Sequence, residues 1–312
     1  MGIDTRPLHP ALGVEIVGVD VRRLDEPTFR EVTAAFEEHS VLLFRGQELD
    51  DQEQIAFSAR FGPLETTIRS IAQQRRDRPE ISNLSNVDGT DQLIPAGDRR
   101  NLFNAGNQMW HSDSSFKRVP AHASLLSARE VPAEGGETEF ASTRVAYARL
   151  DPNLALRLDG RVAIHSFAYS RGLVGDGLLP PEHAAQVPPV PQALVRANPV
   201  NGRKALLIGS HACEIVGMPT PEARQLLREL LLAATAPDRV YTHRWKSGDL
   251  VMWDNRAVLH RGRPWDESRY RRVMHRTTVA GIGPTAPELP APAIAAAREI
   301  DIAWGRAQLA AV

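Results

Sequence analysis

The chain has 312 residues, 42% of them hydrophobic and 24% charged, the balance of a globular protein long enough to bury a core without disulfide staples. Its 37 Lys and Arg against 38 Asp and Glu give a formal net charge of -1, so no global field draws it to nucleic acid or to an anionic membrane. One cysteine, Cys213, excludes an internal disulfide and any cysteine-rich zinc or iron-sulfur site, and no apolar stretch approaches the ~20 residues of a membrane helix.

The opening MGIDTRPLHP has neither an apolar signal segment nor a small-residue cleavage site, so a reducing cytoplasm is the expected location. Residues 13–21 alternate apolar and polar with several Val and Ile, which predicts a strand. Over 27–39, Phe29, Val32, Ala35 and Phe36 recur at helical spacing behind a Pro, and 41–44 is a short buried strand ended by Gly46. A second helix is predicted over 50–61, acidic in its first turn, with Ile55, Phe57, Ala59 and Phe61 as its apolar residues. From 65 to 108 the pattern weakens. Arg75, Arg76, Arg78, Arg99 and Arg100 mix there with Asp, Asn and Gly, and only 81–84 reads as a strand. Long irregular segments of this kind are functional or mobile, and these arginines are either solvated or close over an anionic substrate.

Further strands are predicted at 121–128, 138–140 and 162–167, with helical stretches around 145–158. Residues 171–192, rich in Gly and Pro, read as a surface loop. The Asn201-Gly202 pair between 194–197 and 204–208 is the strongest local hairpin signal. A helix over 221–234 and strands over 240–245, 249–253 and 272–279 complete the predicted elements of the core. Many short strands with a few marginal helices imply a mainly β protein with a sandwich or jelly-roll core. No repeat and no break requires a second domain. Residues 1–284 form the expected domain, and 285–312 a tail with a helix near 293–309.

The one His-x-Asp is His111-Ser112-Asp113, within NQMWHSDSSF. On a strand, alternate side chains share a face, so an imidazole and a carboxylate would hold one metal together. Ten histidines give about half such an occurrence by chance, so the motif alone does not separate a metal site from a core His beside a capping Asp. The best third ligand is His260 in MWDNRAVLHRGRPW, where an apolar strand turns at Asp-Asn and returns through Ala257, Val258 and Leu259. Two His and one carboxylate with open positions make the iron(II) facial triad of oxygenases; the same ligands also suit zinc-dependent hydrolysis. In RYRRVMHRTTV, Arg272, Met274 and Arg276 alternate onto one face. Two inward arginines call for bound anions, whereas an outward basic strand calls for none. Gly135-Gly136-Glu137-Thr138 offers a turn followed by a hydroxyl that could join an arginine around a carboxylate. Cys213 reads as a small buried thiol, and Ser210-His211 has no carboxylate placed by sequence to complete a triad. Trp110, Trp253 and Trp265 read as packing residues.

In order and spacing, LHPALGVEIVGVD, SVLLFRGQ, QIAFSARFGPLE, NQMWHSDSSF, VPAEGGETEF, GRKALLIGSHA, GDLVMWDNRAVLHRGRPWD and RRVMHRTT resemble the taurine dioxygenase and 2,4-dichlorophenoxyacetate dioxygenase family. The likeness covers nearly the whole chain and is closer to the phenoxyacetate branch. It implies a double-stranded β-helix with flanking helices, and a dioxygenase using Fe(II) with 2-oxoglutarate and O2 as cosubstrates. It further implies iron on His111, Asp113 and His260, the distal carboxylate of 2-oxoglutarate on Thr138 and Arg272, and a substrate anion on Arg276. Asn107 and Ser114 match positions lining the substrate pocket, and Glu65 stands where taurine enzymes carry a substrate-binding His. Arg276 lies four residues beyond Arg272, about 13 Å along a strand, too far to serve the same carboxylate. The implied reaction is hydroxylation of a small organic anion. That anion is an aryloxyalkanoate cleaved through a hemiacetal, or else an alkyl sulfonate, an alkyl sulfate, or an amino-acid or natural-product carboxylate. A zinc-type hydrolase and a non-catalytic anion-binding jelly roll are the rivals. Neither a nucleic acid nor a membrane is an expected partner; a homo-oligomer is, with the tail a candidate for subunit packing.

Overall fold

A computed structural model describes residues 2–66, 78–95, 97–98, 104–289 and 301–310. Its strands are β1 Asp4–Pro7, β2 Val14–Val17, β3 Val41–Phe44, β4 Ser82–Ser85, β5 Ala123–Glu130, β6 Thr138–Ser142, β7 Val162–His165, β8 Val190–Ala193, β9 Val195–Ala197, β10 Lys204–Leu206, β11 Ala212–Ile215, β12 Val240–His243, β13 Leu250–Asp254, β14 Val258–Gly262 and β15 Val273–Val279. Seven of them form one sheet in the order β1-β2-β3-β13-β5-β15-β4, and β12-β6-β14 form a second, smaller sheet. Strands β11-β7-β8 and the pair β10-β9 complete the β structure among the described residues.

Strict alternation along the central strands explains the layering. Leu42, Phe44, Leu125, Leu250 and Met252 point to one side of the large sheet and pack with Val32, Phe36 and Phe57. Val41, Leu43, Leu126, Val251, Trp253 and Met274 point to the other side and meet Phe140 and Val258 of the smaller sheet. A one-residue slip would exchange the two faces, so the pattern fixes the register. The far side of the smaller sheet, through Ala141 and Leu259, packs against Leu227, Leu230 and Leu231 of the Thr220–Ala234 helix.

The two helices covering the large sheet start where their sequence dictates. Helix α1, Glu26–His39, opens on Asp25, whose carboxylate accepts from the Thr28 amide at 2.9 Å, and ends at Ser40 in the left-handed region at φ 63°. Helix α2, Asp51–Ala59, carries a reciprocal capping box between Asp50 and Glu53. The Asn201-Gly202 hairpin forms as predicted, with Lys204 paired to Ala197 and Leu206 to Val195.

Two expectations are corrected, and two strands appear that the sequence pattern does not predict. Residues 171–192 are not a surface loop: Phe167–Val174 is a helix, Pro181–Ala184 a single helical turn, and Val190–Ala193 the strand β8. The aliphatic and aromatic side chains of 167–174 bury one helical face, and the Gly and Pro residues beyond 174 obscure it. Strands β1 and β11 are not predicted by the sequence pattern; β1 is exposed and lacks the alternation that marks a half-buried strand. The His-x-Asp lies on no strand either, because His111 makes an isolated bridge and Asp113 begins a turn. Of the irregular arginines, Arg78 is half-buried, and Arg75, Arg76, Arg99 and Arg100 lie outside the described residues. The tail contains the helix Ile302–Ala310, and 293–300 of the predicted helix falls outside the described residues. No helix of the described residues is long and apolar enough to cross a membrane.

Candidate active site

His111 and His260 are held together by backbone. The His111 amide donates to the His260 carbonyl at 3.0 Å, and the His260 amide returns the bond at 2.9 Å, which sets the imidazole rings 4.2 Å apart. Asp113, two residues on, swings its carboxylate between them: Oδ1 lies 3.9 Å from His111 Nε2 and Oδ2 lies 3.6 Å from His260 Nε2. One ligand atom from each of the three falls within 4.8 Å of the others, and all three residues are buried. His111 Nδ1 lies 2.8 Å from the Met109 carbonyl, which can only accept. Nδ1 therefore carries the proton, and Nε2 keeps the lone pair a metal needs.

Electrostatics agree with that chemistry. Burial drives His111 and His260 below the usual imidazole range, His260 far below it, so both are neutral, the form in which an imidazole can bind a metal. Burial by itself would raise Asp113, but the Arg276 guanidinium and the Ser124 hydroxyl, which both donate to it, hold the carboxyl well below the carboxylate range. Two residues the sequence reading missed orient that carboxylate. Ser124 Oγ donates to Asp113 Oδ2 at 2.7 Å and accepts from Asn255 Nδ2 at 2.9 Å. Asn255 Oδ1 takes the Asp113 amide at 3.1 Å and the Trp253 indole at 3.1 Å. The Asp-Asn turn after β13 therefore supports Asp113, a role that only its closeness to His260 in sequence could have suggested.

A cavity of about 760 Å³, counted with its open mouth, is lined by His111, His260, Thr138, Arg272, Arg276 and Asn107 among others. Arg272 is buried at one end of it. Its Nε donates to the Gly136 carbonyl at 3.2 Å and its guanidinium lies over the Trp265 ring at 5.1 Å. No carboxylate of the described residues comes within ion-pairing distance of Arg272, and desolvation lowers its pKa to about 10. A buried cation so placed is a demand for an anion. Thr138, 3% exposed, lines the same cavity. Arg276 donates through Nη1 to Asp113 Oδ1 at 2.7 Å, and its buried Nε has no partner among the described residues. Asn107 sits in the short turn Ala105–Gln108 beside the histidines. Ser114 does not line this cavity: held at φ 55°, it donates its hydroxyl to Glu65 Oε2 at 2.7 Å. Trp253 and Trp265 line the cavity as well as packing. Cys213 is a fully buried thiol, as expected. Arg171, in the segment expected to be a loop, is buried against Gly106, where an added Cβ would fall 1.3 Å from its Nη1.

The double glycine is a clamp as well as a turn. Gly135 and Gly136 have φ 76° and 69°, and the Gly136 amide donates to the Pro264 carbonyl at 3.1 Å. A Cβ on Gly135 would lie 2.7 Å from that carbonyl oxygen, and one on Gly136 would lie 3.2 Å from Arg272 Cδ. We expect Gly135→Ala to lose about 1–2 kcal/mol to its left-handed backbone and more to the clash, visible as a lower thermal midpoint. Gly160, at φ 74° with nothing within 4 Å, isolates the backbone share. Equal midpoint losses in Gly135→Ala and Gly160→Ala would show that the clamp contact costs nothing.

Two imidazoles and one carboxylate gathered on one buried face could hold a single metal ion, and the cavity that the two histidines line is also lined by an arginine with no carboxylate partner among the described residues, which suits an anion. Residues 4–278 match the family described as "Taurine catabolism dioxygenase TauD, TfdA family", and the chain belongs to that family. It is 43% identical over 282 residues to an alpha-ketoglutarate-dependent 2,4-dichlorophenoxyacetate dioxygenase of Cupriavidus pinatubonensis, covering 89% of this chain and 98% of the relative. An (S)-phenoxypropionate/alpha-ketoglutarate-dioxygenase of Sphingobium herbicidovorans is 36% identical over 284 residues, covering 89% and 95%. Among solved structures, AAD-2 in complex with Mn(II) and N-oxalylglycine superposes with a TM-score of 0.84 at 42% identity, covering 92% of this chain and all of that one. The chain is an oxidoreductase of the 2-oxoglutarate-dependent dioxygenase type, which works with Fe(II), 2-oxoglutarate and O2. The phenoxyacetate branch fits better than the taurine branch.

Proposed function

We propose that this dioxygenase hydroxylates an aryloxyalkanoate at the carbon next to its ether oxygen. The observation that carries the reading is one cavity lined by His111 and His260 of the His-Asp-His cluster, by the buried Arg272 with Thr138, and by Arg276, whose guanidinium holds Asp113. His111, Asp113 and His260 are assigned to Fe(II), Thr138 and Arg272 to the distal carboxylate of 2-oxoglutarate, and Arg276 with Asn107 to the substrate. The iron centre supplies oxidation by O2 coupled to loss of CO2 from 2-oxoglutarate, leaving succinate. The protein's part is to hold the anion so that the target carbon faces the open positions. A hydroxyl on that carbon makes a hemiacetal, which breaks its carbon-oxygen bond to give a phenol and a 2-oxo acid. The two relatives, whose names specify phenoxyalkanoic acids, support this substrate class. Ser114, whose hydroxyl goes to Glu65 and which does not line the cavity, is left out of the substrate assignment.

The packing of the seven-stranded sheet on β12-β6-β14 supports a double-stranded β-helix over 1–284, and the family match over 4–278 supports the same boundary. The test is to supply the Fe(II)-loaded protein with 2-oxoglutarate and O2, and to follow succinate and phenol release with phenoxyacetate, an (S)-phenoxypropionate and an alkyl sulfate. Phenol and succinate in equal amounts from a phenoxyalkanoate are expected. Succinate release stimulated only by the alkyl sulfate would replace the substrate assignment, and a 30% identical sulfate ester dioxygenase makes that comparison worth including.

A further inference from the structure

We propose that Trp245 is a positioning residue for the cosubstrate, fixing the direction in which Thr138 donates; the inference rests on the assignment of Thr138 and Arg272 to the distal carboxylate. Trp245 Nε1 lies 3.0 Å from Thr138 Oγ1. An indole N–H can only donate, so it occupies a lone pair on the hydroxyl oxygen. The Thr138 proton has no acceptor among the described residues, and Thr138 lines the cavity with Arg272. A hydroxyl whose rear lone pair faces an N–H gains nothing by turning its proton backward. Thr138 therefore presents a proton, not a lone pair, to whatever lies beside Arg272.

Trp245 is itself held by a buried polar array. The rings of His243 and Trp245 meet edge to face at 4.5 Å and 88°. His243 is 1% exposed and sits directly across from Thr138 on the neighbouring strand. Its Nε2 lies 3.2 Å from Asp249 Oδ2 and its Nδ1 lies 2.9 Å from the Tyr241 hydroxyl. Asp249 Oδ2 also accepts from Arg45 Nη1 at 2.6 Å and from the Lys246 amide at 2.9 Å. With the carboxylate accepting, His243 carries its proton on Nε2 and accepts from Tyr241 at Nδ1. Neither orientation of the ring is then free. His243, Tyr241 and Asp249 do not line the cavity, and the edge-to-face contact with Trp245 is the route by which this array sets the indole that meets Thr138. Its consequence is selectivity: an acceptor tail such as a carboxylate is welcomed, and a 2-oxo acid ending in a donor amide is refused one bond.

The experiment measures N-oxalylglycine binding to the Mn(II)-loaded protein by calorimetry in the wild type, Trp245→Phe, Thr138→Val and the double variant, with thermal midpoints alongside. Loss of one neutral hydrogen bond should weaken Trp245→Phe about three- to tenfold, with kcat at saturating 2-oxoglutarate within about twofold of the wild type. In the double variant the Trp245 change should add nothing to Thr138→Val, because the residue it aims is gone. Trp245→Tyr, a second ring without the indole donor, should match Trp245→Phe and covers the case in which the latter folds poorly. Wild-type affinity in both ring variants, while Thr138→Val weakens binding, would overturn the positioning role and leave the cosubstrate site standing. Full additivity in the double variant would also overturn it. Wild-type affinity in Thr138→Val would remove the Thr138 assignment and the proposal with it.

Discussion

Replacing His260 with alanine is expected to abolish turnover and to weaken Mn(II) or Fe(II) binding by more than about a hundredfold, since loss of an outer-shell partner alone commonly costs 10–100-fold. The same result is expected for His111→Ala and Asp113→Ala. On the proposed assignment each supplies one of three ligand atoms, and the remaining pair cannot define an open face. The backbone bridge between residues 111 and 260 uses only peptide groups, so the alanine variants should keep the fold. Calorimetric metal binding together with the far-UV spectrum separates the two effects. Native-like metal affinity in any one folded variant would remove that residue from the ligand set.

Arg276→Ala is expected to raise KM for the acidic substrate roughly 10- to 100-fold, the span of one hydrogen bond to a charged group. The side chain is 19% exposed, lines the cavity and leaves its buried Nε without a partner among the described residues while Nη1 holds Asp113. One residue thus touches both the metal's carboxylate and the space for substrate. Arg276→Lys keeps the charge but loses the planar fork, so it should fall between the wild type and alanine. The competing role, support of Asp113 alone, predicts a different pattern: weaker Mn(II) binding with an unchanged KM once metal saturates. That pattern would end the substrate assignment.

Much of this site was legible because its residues fall on periodic elements. The alternation of Arg272, Met274 and Arg276 put both arginines on one face, and they do line one cavity while Met274 joins the core. His260 lay on a strand whose apolar run is easy to read. The geometry joining His111 to Asp113 was not legible, because it is a bridge and a turn, and turns depend on tertiary bonds such as Asn255 to the Asp113 amide. Ser124 was invisible for a similar reason: it reads as one more small residue in a strand, and only the pairing of β5 with β13 sets Ser124 opposite Trp253, next to the Asn255 turn. Arg171 was misplaced because the Gly and Pro content of its surroundings outweighed a short apolar helix face.

The reciprocal peptide bonds between His111 and His260 also bear on the order of assembly. Where a metal gathers its own ligands from a loose chain, binding free energy and folding free energy are one quantity. Here two segments far apart in the chain are already joined by their main chains, through hydrogen bonds that owe nothing to the ion. The ion is therefore expected to meet a frame of peptide hydrogen bonds that its loss leaves standing, so that chelation strips the metal while the far-UV spectrum stays unchanged.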